Sequence, residues 1–276
     1  MKKNTTILIT TVSLLGLAQL SNAVTVVPVI GGGGTGNWDQ RDSDGNPNGW
    51  RTGPNVIART PSAAENDLVI INANRTVQVT TNVSTVAGEV RTNNTNDSGN
   101  QGNLEINSGG SLTTGLFRST GNDGGNLTVQ GTGSLTTAAA QINTNSSFTI
   151  IGSAASFSAA SLSVSDTGML NFTFDNLGVT SIASSGGLTI DAGADLTIDG
   201  SSYTGGAGTF DLIEVGSFTV GNEFDELVTG FTGFNTDIVY DGTGGVDLVL
   251  TAIPEPSSTA LLGLGLGALV LRRRRA

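Results

Sequence analysis

Asn103 to Thr114 reads NLEINSGGSLTT, and Asn126 to Thr137 reads NLTVQGTGSLTT, the same twelve-residue phrase displaced by 23 residues. A third, degenerate copy, SFTIIGSAASFSA, opens at Ser147 after a displacement of 21. Two further apolar clusters follow, LNFTF from Leu170 and LTIDAGADLTID from Leu188. In every copy the apolar residues alternate: Leu104 and Ile106, Leu127 and Val129, Phe148 and Ile150, Leu170 and Phe172, Leu188 and Ile190. Alternation with a period of two marks a strand with one buried face. A second short strand follows eight or nine residues on, at Leu112, Leu135, Phe157 and Leu196. The intervening Gly, Asn, Ser and Asp accept turn and left-handed backbone.

Repeats of about 18 to 23 residues, built of short strands with glycine-rich corners, point to an all-β fold, a right-handed parallel β-solenoid (β-helix). Each coil buries a stripe of apolar side chains, and stacking at about 4.8 Å pairs the backbone of each coil with its neighbours. No 3.6-residue period supports a helical repeat, and an antiparallel sandwich does not account for near-identical copies. The spacing predicts a solenoid over residues 62–205, with Leu104, Leu127, Phe148, Leu170 and Leu188 in one interior column. Asp67–Ile71 and Thr76–Val79 read as two strands of the opening coil, and Thr92–Gly102 as an inserted loop. The opening itself, NWD…GW…PSAAENDLVI, is similar to exported bacterial repeat proteins whose solenoids start this way. Both ends of a solenoid need covering. Trp38 and Trp50, within an N-terminal cap or loop region over 24–61, suit one end. Five of the ten Phe fall between residues 210 and 234, within an expected β cap over 206–252.

The N-terminus has the layout of a signal peptide over residues 1–23. Lys2 and Lys3 precede a mostly apolar stretch from Ile7 to Leu20, and Ser21-Asn22-Ala23 predicts cleavage by a signal peptidase after Ala23. A buried amphipathic helix is the other reading, but this stretch is apolar all round and runs on to Gly31-Gly32-Gly33-Gly34.

The C-terminus, residues 253–276, reads IPEPSSTALLGLGLGALVLRRRRA. Pro254 and Pro256 fit neither a helix interior nor a central strand, so Pro254-Glu255-Pro256 forms an extended hinge. Behind it Ala260 to Leu271 forms an apolar run, and Arg272, Arg273, Arg274 and Arg275 form a cationic stop. That order fits a short transmembrane helix with its arginines on the cytoplasmic side. About 20 residues are needed to cross the hydrocarbon, so a 12-residue run suits transient retention in the inner membrane. These residues together resemble the PEP-CTERM sorting signal of Gram-negative bacteria, with Ile253 where that family usually has Val. The resemblance implies processing by an exosortase-type enzyme at Pro254, Glu255 and Pro256, and delivery to the cell surface or extracellular polymer. It covers about the last 24 residues and leaves the ectodomain open.

Without its two ends the chain keeps 22 acidic residues against six arginines, a net charge near −16 where the whole chain has −11. Neutralising phosphates needs basic residues, so a nucleic-acid partner is excluded on charge. The chain has no His and no Cys, and its only lysines are Lys2 and Lys3. Stability therefore rests on packing and backbone pairing, with no disulfides. The same inventory removes imidazole, Schiff-base and thiol chemistry and leaves carboxylates. Gly accounts for 40 of 276 residues, about twice the usual share of roughly 7%.

Candidate sites are few. Asp191, Asp195 and Asp199 could supply the carboxylate pair of a solenoid glycosidase, but their positions at strand ends favour turn hydrogen bonds. A lyase usually uses a basic residue, and Arg75, Arg91 and Arg118 are spread along the chain. Asp42, Asp44 and Asn46 alternate around Gly45 as calcium ligands do, without the Glu that closes an EF-hand loop. That absence favours a solvated Asx-turn. Trp38 and Trp50 could stack on sugars or pack in a cap. Thr128, Thr149, Thr173, Thr189 and Thr197 occupy outward positions, as ice-binding arrays require and as exposed strands commonly provide. The sequence thus predicts a non-catalytic, cofactor-free surface or matrix protein, structural or adhesive, with exopolysaccharide as a partner. A carbohydrate-active solenoid enzyme is the alternative, and an ice- or surface-binding solenoid a lesser one.

Overall fold

The structure is a computed structural model. It describes residues 25–28, 34–38, 50–52, 55–57, 61, 67–72, 74–93, 101–119, 124–218, 222–241 and 245–254. The expected signal cleavage at Ala23, the calcium candidates Asp42, Asp44 and Asn46, and the sorting residues Glu255, Pro256 and Arg272 to Arg275 lie outside these residues.

The described residues form strands and turns and no helix. In chain order the first strands are β1 (Thr25–Pro28), β2 (Thr35–Asn37), β3 (Trp50–Thr52), β4 (Asn55–Ile57), β5 (Leu68–Ile71), β6 (Thr76–Val79) and β7 (Asn82–Thr92). The central coils contribute β8 (Asn103–Ile106), β9 (Ser111–Ser119), β10 (Asn126–Gln130), β11 (Ser134–Ile142), β12 (Ser147–Ile151), β13 (Ser156–Val164) and β14 (Met169–Thr173). The last are β15 (Ile182–Ile190), β16 (Asp195–Asp199), β17 (Gly208–Phe218), β18 (Asp225–Thr229), β19 (Phe234–Asp241) and β20 (Gly245–Ala252).

Successive coils stack in parallel into two long sheets. One runs β18-β16-β14-β12-β10-β8-β6-β2, and the other runs β19-β20-β17-β15-β13-β11-β9-β7-β5-β1-β3-β4. The repeated phrases stand in register: Leu104 beside Leu127, Leu127 beside Phe148, Phe148 beside Leu170. The chain is a parallel β-solenoid. Its parallel ladder reaches beyond 62–205 at both ends, through β1–β5 and β2–β6 before it and β15–β17 and β16–β18 after it.

Each long strand bends within itself. Along β9, Leu112 and Thr114 face inward, and the inward phase then slips past Gly115 to Phe117 and Ser119. Each coil therefore turns three inward segments toward the core, one from the short strand and two from the long one. At the corner before β11 the coils approach so closely that a Cβ on Gly133 would come 2.3 Å from the Ile106 carbonyl oxygen. Only glycine fits that approach. Outside the core the coils are tied by polar ladders. Asn126 Nδ2 donates to Asn103 Oδ1 at 2.8 Å, and Ser147 Oγ donates to Asn126 Oδ1 at 2.7 Å.

One expectation about the column is corrected. Leu170 is followed by Leu196, not Leu188, because β14 pairs with β16. Leu188 lies in β15 on the other sheet, beside Leu162 of β13. Ile182 takes the place expected for Leu196 beside Phe157. The cause is a longer turn between β14 and β15, residues 174–181, where the earlier coils use two to four residues. Asp175 organises that turn, accepting the Ser153 N–H at 2.8 Å, the Leu177 N–H at 2.8 Å and the Gly178 N–H at 2.9 Å. Burial works against this charge, yet these bonds and the Ser153 hydroxyl hold the carboxyl below the usual carboxylate range.

The ends close differently. Trp38 and Trp50 are both 1% exposed, with ring centroids 4.7 Å apart, and Trp50 Nε1 donates to the Trp38 carbonyl at 2.8 Å. At the far end the chain abandons parallel stacking: β20 pairs antiparallel with β17, and β19 antiparallel with β20. Phe174, Tyr203, Phe210 and Phe231 meet edge to face beside this hairpin, with centroids 5.1 to 5.8 Å apart. Such contacts add about 0.5–1.5 kcal/mol per pair beyond the area they bury.

Candidate functional site

Two features converge on the C-terminal end of the solenoid, the exit of the tail and a groove of carboxylates. The tail leaves from β20, the middle strand of the β17–β20–β19 group. Ala252 is the last residue in the ladder, paired with Phe234, and the Ile253 N–H still donates to the Gly233 carbonyl at 2.9 Å. Ile253 is then half out of the surface at 49% exposure, and Pro254 is exposed. Proline has no N–H to extend the ladder. Pro254, the first residue of the expected hinge, therefore follows directly on the last backbone bond of the ladder. Among the described residues no helix is long and apolar enough to cross a membrane; the apolar run 260–271 lies outside them.

The groove lies across the same strands. Asp211 on β17 stands directly opposite Asp247 on β20, and Glu214 of β17 and Asp241 of β19 join them around an open volume of about 580 Å³. The Glu214 carboxylate accepts the Ser181 hydroxyl at 2.8 Å, and the Asp241 carboxylate accepts the Gly245 N–H at 2.8 Å. Burial pushes the Asp247 carboxyl above its ordinary value, and the neighbouring charges of Asp211, Asp241 and Glu214, with a hydrogen bond to Asp211, push it further. From residue 119 to 252 the chain carries 14 acidic residues and no basic one, and among the described residues no cation lines this groove. No signal in the local sequence finds the groove: Asp211 and Asp247 are 36 residues apart and meet only because β20 returns antiparallel. Among the described residues no cluster of His, Cys, Asp or Glu is arranged to hold a metal ion.

The residues singled out in the sequence fall elsewhere. Asp195 and Asp199 share one strand at outward positions, four residues apart, which separates their backbones by about 13 Å. A glycosidase holds its carboxyls about 5 to 9.5 Å apart. Asp191 is exposed in the turn after β15, and the Asp199 carboxylate accepts the Ser201 N–H at 2.9 Å, a turn bond. Arg91 and Arg118 come together on adjacent strands, both on Glu89 at 2.6 and 3.7 Å, remote in the ladder from the acidic groove. The five threonines do not form one array. Thr128 and Thr149 are neighbours, Asn171 interrupts before Thr197, Thr173 stands one column over, and Thr189 is on the other sheet. Both tryptophan rings are buried, which removes them as sugar platforms.

Comparison with known families matches residues 252–275 to the PEP-CTERM protein-sorting motif. No curated protein and no solved structure matches the chain. The match starts at Ala252, the residue on which the ladder ends. The chain is thus a β-solenoid carrying a PEP-CTERM sorting motif, which implies an exported protein sorted by an exosortase.

Proposed function

We propose that this protein is a non-catalytic structural or adhesive rod of the cell surface or extracellular polymer, right-handed in its coil, held briefly in the inner membrane and then released by cleavage at the hinge. The observation that carries the reading is the direct junction of the sorting motif with β20. The eight strands from β2 to β18 stack over about 34 Å at 4.8 Å per coil, so a chain held by its tail presents polar sheet faces away from the bilayer. Amide and hydroxyl ladders such as Asn103–Asn126–Ser147 suit an exopolysaccharide partner. The outward Asp195 and Asp199, too far apart to act as a pair, support a role without turnover. Fractionation of cells expressing a tagged chain tests the placement. Mature protein should be found at the surface or in the polymer, with only precursor in the inner membrane. Mature protein held permanently in the inner membrane would contradict it.

A further inference from the structure

We propose that the β19–β20 hairpin is a pH-responsive flap on the C-terminal end of the solenoid, seated when Asp247, directly opposite Asp211, carries a proton and loosened when it is charged. The two carboxyls face one another across an antiparallel pair, where like charges directly opposite are destabilising. The ladder is also interrupted beside them: its register shifts between Asp211 and Ile213, and Leu212 and Ile213 are both turned into the core. The charged pair therefore sits where the β17–β20 seam is least supported by backbone bonds. Among the described residues that line the groove none is a cation. β17 contributes Asp211 and Glu214, β19 contributes Asp241 and β20 contributes Asp247, while β13 and β15 contribute only neutral residues such as Ser158 and Ser184. Glu214 and Asp241 already accept hydrogen bonds from Ser181 and Gly245. A carboxyl held opposite another carboxylate relieves the repulsion by binding a proton.

The sign follows from the direction in which Asp247 is displaced. Its carboxyl is raised in the folded chain, so the folded state holds the proton more tightly than the unfolded one. The contribution is fully present below the ordinary carboxylate value of about 4 and is lost as pH rises through the raised value. The hairpin is seated in acid and loosened toward neutrality. β20 leads straight into the sorting segment, so the same equilibrium sets how firmly that segment's root is held.

Hydrogen exchange read by mass spectrometry on the purified full chain tests this at about pH 4.5 and about pH 7.5, corrected for intrinsic exchange. The peptide Phe234–Ala252 reports the hairpin and Asn126–Ile142 serves as the internal reference. Relative to the reference, hairpin exchange should be several-fold faster at the higher pH than at the lower, because a raised Asp247 carboxyl loses its contribution as pH rises. Asp247→Asn and, separately, Asp211→Asn should abolish that difference and leave the hairpin protected at both values. A wild-type hairpin that follows the reference, or Asn variants that keep the wild-type response, would overturn the proposal. Should neither variant fold, the wild-type comparison of hairpin with reference still decides it.

Discussion

The hydroxyl of Tyr240 on β19 donates to Glu226 Oε1 on β18 at 2.6 Å and accepts the Phe224 N–H at 3.1 Å. Glu226 continues the column of Leu170 and Leu196, so the last coil offers a carboxylate where earlier coils offer leucine. That carboxylate is exposed on the final strand, where a charge is unfavourable for another coil to cover and protects the edge. Tyr240 closes the end by satisfying that charge from the returning hairpin.

Replacing Tyr240 by Phe should therefore lower stability by about 1 kcal/mol, the value of one such hydrogen bond. The pH response is more specific. Burial, then the Glu226 bond and charge, raise the phenol well above its ordinary value. A raised phenol contributes stability below its unfolded value of about 10 and loses it as pH rises through the folded value. Alkaline unfolding should be steeper in wild type than in Tyr240→Phe, and an ultraviolet phenolate titration should show one of the two tyrosines ionising late.

Core and surface leucines should separate cleanly. Leu127 is fully buried in the column, and Leu177 is 74% exposed at the tip of the 174–181 turn. Leu127→Ala should cost about 2–5 kcal/mol, and Leu177→Ala should stay within about 0.5 kcal/mol. Chemical denaturation of the two variants measures both.

The first three coils were legible in the sequence because their turns are nearly constant, so Leu104, Leu127 and Phe148 repeat at a readable interval. The fourth was not. LTIDAGADLTID looks like a further copy of NLEINSGGSLTT, with two short strands about eight residues apart, yet it spans the opposite corner, from the end of β15 into β16. The turn that Asp175 organises shifts the phase, and a count of residues cannot see which corner a turn occupies. The sorting tail was legible because hinge, apolar run and arginines are contiguous. The Asp211–Asp247 pair was not, since antiparallel return of a strand leaves no local spacing to read.

The tryptophans give an optical test of the N-terminal end. With both rings buried, titration with oligosaccharides should leave their fluorescence unchanged. Trp50→Phe should remove the donor to the Trp38 carbonyl and cost about 1–3 kcal/mol, the penalty for a buried group left unpaired. Saturable quenching by a sugar would place a binding site where the structure has a packed interior.

Asp191→Asn and Asp195→Asn, singly or together, should leave the behaviour of the protein unchanged, because these side chains lie at turns and on an outward strand face. The purified protein should degrade no member of a polysaccharide panel. Turnover that depends on any carboxylate of the solenoid would promote the enzymatic alternative over the structural one.

The junction of β20 with the hinge is where the account is most exposed to test. Replacing Pro254, Glu255 and Pro256 by alanine should leave unprocessed precursor in the inner membrane, because a continuous helix hides the backbone a protease must engage. Deleting Arg272 to Arg275 should weaken retention and let precursor escape. Mass spectrometry of the C-terminus of the surface-exposed protein tests the central claim most directly. The account predicts a terminus at or close to Pro254–Pro256, without the apolar run or the arginines; a mature form ending in Ala276 would contradict it.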